Sequence, residues 1–314
     1  MSERSERTDD RATAREPGVD GAGGRSLLRS GWTVGRATIT PVIETETPTS
    51  PRFLFKDLDK RGVLDIAQRH PWLAGTFVDD AGYLLQRVQC LVVDVDGVRI
   101  AVDTCVGNDK ERANPGWAHQ QLPFLDDMTA AGFPPASVDV VICTHLHVDH
   151  VGWNTSLVDG HWVPTFPNAR YVFAAPEFEY WQATTMGGDD VFGDSVAPVA
   201  AAGLADLVPV DHRLDRAIRF DPTTGHTPGH VSVVIESAGE RAVITGDMIH
   251  TPVQVADPGL SSGFDYDPAA AVTTRHSFLQ RYADDTLVIG THWGGPGAAR
   301  VRADADGWRL EPAG

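Results

Sequence analysis

Apolar positions along the chain come in short runs broken by turn residues, a spacing that favours strands over long amphipathic helices. Val138 to Cys143 (VDVVIC) is a compact apolar run of the kind produced by a strand buried on both faces. Arg170 to Ala174, Val231 to Glu236, Arg241 to Thr245 and Thr286 to Ile289 read the same way. Leu91 to Val95 and Val98 to Asp103 flank Asp96-Gly97. Asp-Gly supplies the two positive φ angles of a type I′ turn, so these runs predict a hairpin. Ser237 to Glu240 predicts a second one. Helical spacing is rarer. Leu122, Leu125 and Met128 recur at that period, with Gly132 as a stop, and Pro176 to Gln182 predicts a short helix. Asp267 followed by Pro268 is an N-cap with proline in the first turn. The helix it opens carries Val272, Leu279 and Tyr282 on one face and ends before Thr286. Such irregular alternation predicts a mixed α/β (α+β) domain over 32–314 rather than a βαβ repeat. Residues 1–31 are polar and charged with hardly any large apolar side chains, so a disordered tail is expected there.

Composition narrows the partners. The 314 residues carry 26 Lys and Arg against 43 Asp and Glu, a net charge of −17. A chain so acidic repels phosphate backbones, so no nucleic-acid partner is expected. No apolar run is long enough to span a bilayer, and the first residues lack the apolar core of a secretory leader. Three cysteines, Cys90, Cys105 and Cys143, lie in or beside strand-like runs and are too few for a disulfide framework. Buried thiols and a cytoplasmic setting are therefore expected.

The chemistry concentrates in Thr144 to Gly152, THLHVDHVG, directly after a predicted buried strand. Alternate residues of an extended segment point the same way, so His145 and His147 can grip one metal. Asp149 and His150 lie past the bend and can face a second. One ion could not take all four so close in sequence without strain, whereas two ions about 3.5–4 Å apart could. Three further strand ends carry matching residues: Thr224 to His230 (TGHTPGH), Thr245-Gly246-Asp247 and Gly290-Thr291-His292.

With these motifs in this order, the sequence resembles the metallo-β-lactamase superfamily from about Thr33 to Ala303. The resemblance implies a four-layer αββα sandwich. It also implies a ligand set of His145, His147 and His226 on one metal, Asp149, His150 and His292 on the other, and Asp247 bridging the two. His226 rather than His230 is the ligand by this resemblance. His230 is then expected to orient its neighbour, and Asp103 to support a ligand from behind. Imidazoles and carboxylates without thiolate suit two zinc ions, with iron, cobalt or manganese as alternatives. Two cations sharing a water would lower its pKa toward neutrality and supply hydroxide for attack on a carbonyl carbon or a phosphorus. Asp149 is the expected proton carrier to the leaving group, and Asp247 the second catalytic carboxylate.

Within the superfamily the look is closest to methyl parathion hydrolase and acyl-homoserine lactonase-like members. Lactonases of this kind often carry a tyrosine three residues after the bridging aspartate. Here that residue is His250, a departure that leans toward arylesters and phosphotriesters and leaves His250 to hydrogen-bond substrate or a ligand. Trp153 and Trp293 follow ligands closely and are expected near the metals as pocket walls, with Trp117, Phe124, Trp181, Phe192 and Phe264 at the mouth. The expected partner is a small, partly apolar ester, lactone or phosphotriester, with no membrane and a homodimer as a further expectation. A lactonase, a glyoxalase II-like thioesterase and an iron-dependent redox enzyme on the same ligands are the alternatives.

Overall fold

The computed structural model of the chain describes residues 30–184, 189–305 and 307–313. The expected tail, apart from Ser30 and Gly31, lies outside them. In chain order the first half runs β1 (Trp32–Val34), β2 (Ala37–Thr49), α1 (Pro51–Leu54), α2 (Lys60–Arg69), β3 (Leu84–Val95), β4 (Val98–Val102), α3 (Phe124–Ala130), β5 (Val140–Ile142) and α4 (Val148–Val151). It continues through β6 (Thr155–Val158), β7 (His161–Pro164), β8 (Arg170–Ala174), α5 (Ala175–Gln182), α6 (Val191–Ser195), α7 (Ala197–Ala201) and β9 (Ala205–Val208). The second half holds β10 (Ile218–Pro222), β11 (Val231–Ser237), β12 (Glu240–Ile244), α8 (Val253–Ala256), α9 (Pro268–Tyr282), β13 (Thr286–Ile289), β14 (Ala298–Asp304) and β15 (Gly307–Pro312).

Two sheets result, ordered β1-β2-β3-β4-β5-β8-β9 and β10-β11-β12-β13-β14-β15, with β6-β7 as a separate hairpin. Period-two alternation distributes their side chains. Val140 and Ile142 join the core between the sheets with Ala242, Ile244, Leu287 and Ile289. Val141 points the other way, into the layer of α3, α5 and α7 with Phe124, Phe178 and Val199. Val243 and Val288 likewise face α2 and α9, packing with Val63, Phe278 and Leu279. Helices outside and two sheets inside give the four layers.

Local chemistry explains the elements that were expected. Asp96 (φ 52) and Gly97 (φ 85) form the β3-β4 turn, and Ala238 (φ 49) and Gly239 (φ 85) the β11-β12 turn. Asp267 caps α9 by accepting from the Ala270 N–H at 3.0 Å. The short helix at Leu122 starts later, at Phe124, with Pro123 before it. All three cysteines are buried free thiols, and burial pushes each of them up. Among the described residues no helix is long and apolar enough to cross a membrane.

Parallel pairing places the site. β4, β5 and β8 run parallel in one sheet, and β12 and β13 run parallel in the other. Their C-terminal ends therefore deliver Asp103, the Thr144–His150 segment, Asp247 and His292 to one edge of the sandwich. The turn after α4 is packed to contact: a Cβ on Gly152 would stand 1.7 Å from the Val106 carbonyl oxygen. Gly152→Ala should cost about 3 kcal/mol or more in urea unfolding of the metal-free protein. A loss below about 1 kcal/mol would show that the two loops can separate without penalty.

Candidate metal centre

His145 and His147 sit in the extended stretch leaving β5, and Asp149 and His150 occupy the first turn of α4. Asp103, buried at the end of β4, ties this segment down. Its carboxylate accepts from the Thr144 N–H at 2.7 Å and the Thr144 hydroxyl at 2.9 Å, and it stands 3.0 Å from His150 Nδ1. Asp103 holds a left-handed φ of 56 to do so, and Cys105 follows at φ 55.

The side chains gather in two groups. His145, His147, His226 and Asp247 offer ligand atoms within 4.8 Å of one another, and so do Asp149, His150 and His292. Asp247 stands between the groups. Its Oδ2 lies 3.8 Å from His145 Nε2 and 3.6 Å from His226 Nε2. Its Oδ1 lies 3.3 Å from His150 Nε2 and 3.0 Å from His292 Nε2. Asp149 completes the second group, 3.5 Å from His292 Nε2 and 3.6 Å from His150 Nε2.

These groups fit cations. His226 Nε2 approaches His147 Nδ1 to 2.9 Å, and His292 Nε2 approaches His150 Nε2 to 3.1 Å. Nitrogens bound to one tetrahedral cation at about 2.0–2.1 Å stand roughly 3.3–3.4 Å apart, so the observed spacing is close to that of a shared ion. His145 Nε2 and Asp247 Oδ1 are shielded from water and make no directed hydrogen bond. The other ring nitrogens of His145, His226 and His292 are engaged from behind, which aims the free ones inward. His145 Nδ1 meets Thr144 Oγ1 at 3.1 Å, His226 Nδ1 meets Asp265 Oδ1 at 3.0 Å, and His292 Nδ1 meets the Arg87 carbonyl at 2.7 Å.

Charge divides the groups. Burial, reinforced by neighbouring imidazoles, holds His145, His147 and His226 well below the usual histidine range, so they are neutral donors. At His292 burial opposes a proton, but Asp247 and Asp149 outweigh it and push the ring up to about 9. His150 is raised in the same way, its burial outweighed by Asp247, Asp103 and Asp149. Burial would raise Asp247, yet the imidazoles of His292, His150 and His250 hold it well below the ordinary carboxylate range. Without ions, the site keeps positive charge on the second group only.

His230 stays outside both groups. Its Nε2 accepts from the Asp247 N–H at 2.9 Å and its Nδ1 meets Thr223 Oγ1 at 2.9 Å. It thus fixes the backbone of Asp247, and Gly246 must lack a Cβ because one would stand 2.5 Å from that ring nitrogen. His250 is buried at the site with Nε2 3.3 Å from Asp247 Oδ2, and neither ring nitrogen has a hydrogen bond. Its backbone is gripped instead: Gln254 Oε1 accepts from its N–H and Gln86 Nε2 donates to its carbonyl.

The tryptophans expected as pocket walls are core residues. Trp153 stacks on Phe124 and donates its indole N–H to Glu44, and Trp293, fully buried, packs against Phe77 and donates to the Ile249 carbonyl. Sequence adjacency to a ligand misleads here, because consecutive side chains leave the backbone in different directions. Phe124 is likewise core. Trp181 is buried too, but it reaches the site, its ring 5.2 Å from that of His147. Trp181 and Phe192 also line a cavity of about 240 Å³ that begins at Leu146. Phe264 is exposed and meets Phe53, which also meets Trp117.

Asp265 and Glu177 are among the supporting carboxylates that went unread in the sequence. Asp265 holds His226 and accepts from the Ser262 N–H. Glu177, buried on α5, accepts from the backbone N–H groups of Leu146 and Gly229 and from the indole of Trp181, joining the two histidine loops. Neither lies in a motif, and the one available sign for Glu177 is a charge within an otherwise apolar helix face.

The chain is similar to several known proteins. An N-acyl homoserine lactonase, AttM, of Rhizobium radiobacter is 28% identical over 178 residues, which are 53% of this chain and 62% of that protein. The chain thus spans somewhat under two thirds of that relative's length. Among solved structures, a hydrolase of the beta-lactamase superfamily named AbOPH matches with a TM-score of 0.75 at 23% identity, covering 91% of this chain and 97% of that one. AidC, a dizinc quorum-quenching lactonase, matches with a TM-score of 0.74 at 19% identity, covering 92% and 99%. Residues 85–292 match the family described as the metallo-beta-lactamase superfamily, a span from β3 to the last ligand-type histidine. The chain belongs to the metallo-beta-lactamase superfamily.

Proposed function

We propose that the two groups hold two divalent cations, zinc in the first instance, and that the centre hydrolyses a neutral, partly apolar ester, lactone or phosphotriester. The observation that carries this is Asp247, whose two oxygens face separate ligand groups. Zinc is supported by the nitrogen and oxygen donor set and by the dizinc lactonase of the same fold. The lactonases among the relatives support the lactone member of the substrate class on an equal footing with the others.

When bound, the cations would supply an ionised water near neutral pH and polarise the oxygen that becomes an anion. The chain's own residues do the rest. His145, His147, His226, His150 and His292 present aimed nitrogens. Asp149 is the member of the two groups that is not fully buried, so its carboxylate faces the open side and is placed to pass a proton to the leaving group. His250, with both ring nitrogens uncommitted, can donate a hydrogen bond to a substrate oxygen.

His147→Ala and Asp247→Ala should each lose bound metal and all turnover of a panel holding an aryl ester, an acyl-homoserine lactone and an aryl phosphotriester. Full activity in either variant, or in wild type after exhaustive chelation, would refute the assignment.

Protonation gives a second test. In the metal-free protein His292 keeps a proton up to about pH 9, and a cation must displace it. Apparent zinc affinity of the second group should therefore climb between pH 6.5 and 9, by roughly tenfold per pH unit for each proton released. Stability of the metal-free protein should move oppositely. The folded pKa lies above the unfolded one, so that contribution is complete below about 6.5 and fades as pH rises through about 9. Calorimetric zinc titrations and thermal melts over this range read both trends. An affinity independent of pH would overturn the assignment of His292 as a ligand.

A further inference from the structure

We infer that Glu44 is a positioning residue for the Asp149–His150 half of the centre, acting through Val106, Gly107 and Trp153. The inference rests on the two-cation reading above. It starts from an irregularity in β2. Ile43 pairs with Gln89 and Thr45 with Val88, so Glu44 is an extra residue in a bulge. Residues 41–44 are all buried, so β2 is covered on both faces here and the Glu44 carboxylate lies inside that covered stretch. Bulges are over-represented beside functional sites.

The carboxylate meets three donors. Its Oε2 accepts from the Val106 N–H at 2.9 Å, and its Oε1 accepts from the Gly107 N–H at 3.0 Å and the Trp153 indole N–H at 2.8 Å. These donors belong to two loops that are themselves joined. Thr104 N–H donates to the His150 carbonyl at 2.7 Å, Gly152 N–H to the Cys105 carbonyl at 2.7 Å, and Trp153 N–H to the Thr104 carbonyl at 2.8 Å. One loop carries Asp103, which steadies His150 Nδ1, and the other carries Asp149 and His150 themselves. Glu44 therefore clasps both loops from behind, across more than sixty residues of sequence on one side and more than a hundred on the other.

All three contacts offer hydrogens, so the ionised carboxylate matches them, whereas protonation adds a hydrogen for which these contacts offer no acceptor. Burial opposes that ionised form and outweighs the three N–H donors, pushing the carboxyl up to about 7. Retaining so costly a group where an apolar side chain would fill the space indicates a placement role. The other half of the centre has anchors of its own, Glu177 on Leu146 and Gly229 and Asp265 on His226, beside the link from Asp103 through Thr144 to His145. Disturbing Glu44 should therefore affect one cation more than the other.

The test is stepwise metal binding by the full chain, stripped and reloaded with Co²⁺ or Zn²⁺ in competition with a chelator. Wild type should take two ions. Glu44→Gln keeps the size but turns an N–H toward the Val106 donor. Trp153→Phe keeps the stack on Phe124 but removes the indole donor. Both should hold the first ion with unchanged affinity and bind the second about 10–100-fold more weakly, Glu44→Gln the more strongly affected. Their lost kcat should return at high metal with KM unchanged. Glu177→Gln should show the reverse preference between the two ions. Equal weakening of both ions in step with a falling Tm would mark Glu44 as a general stability residue, and unchanged affinities would dismiss the clasp. A wild-type chain that takes fewer than two ions would overturn the two-cation reading and this inference with it.

Discussion

A buried carboxylate surrounded by imidazoles is the constraint around which the rest of the structure is arranged. Asp247 is almost wholly removed from water, and so are the histidines that face it. Charge in such a place is costly unless each atom has a partner of opposite character. Protons on His150 and His292 meet part of that need, but the neutral trio of His145, His147 and His226 has none to give. Cations held by the two groups beside Asp247 would offset that imbalance.

Placement is secured by atoms that touch no cation. Thr144, Asp103, Asp265 and the Arg87 carbonyl each take the rear nitrogen of a histidine, and His230 takes the N–H of Asp247. The glycines serve the same end. Gly246 and Gly152 are the points where a side chain would separate elements that must touch. Rigid support of this kind is what lets a polar cluster stay aimed instead of collapsing into its own hydrogen bonds.

Much of this was legible in the sequence because it depends on near neighbours. Asp96-Gly97 fixes its turn through φ alone, Asp267-Pro268 starts α9 by capping, and the apolar runs at Thr286–Ile289 and Arg170–Ala174 are strands over those same residues. The ligand-type residues stand out because strands end beside them. The supports were hidden because they act across long separations: Glu44 meets Trp153 and Asp265 meets His226 only once the sandwich has closed. Trp153 and Trp293 erred in the opposite direction. Nearness in sequence suggested a shared cavity, whereas each indole is taken up by a core cluster on an outer face of a sheet. The long strand β2 carries two prolines and a bulge, which blur the alternation that would have announced it.

Both ligand groups draw on both sheets. His145 and His147 leave β5 while His226 and Asp247 belong to the β10–β12 side, and Asp149 and His150 meet His292 only after β13. A chain emerging from its N-terminus thus owns no complete group until the second sheet begins to form, through Asp247 for one group and His292 for the other. In such an architecture a bound cation would join one sheet to the other, so its capture would report that the two sheets have docked.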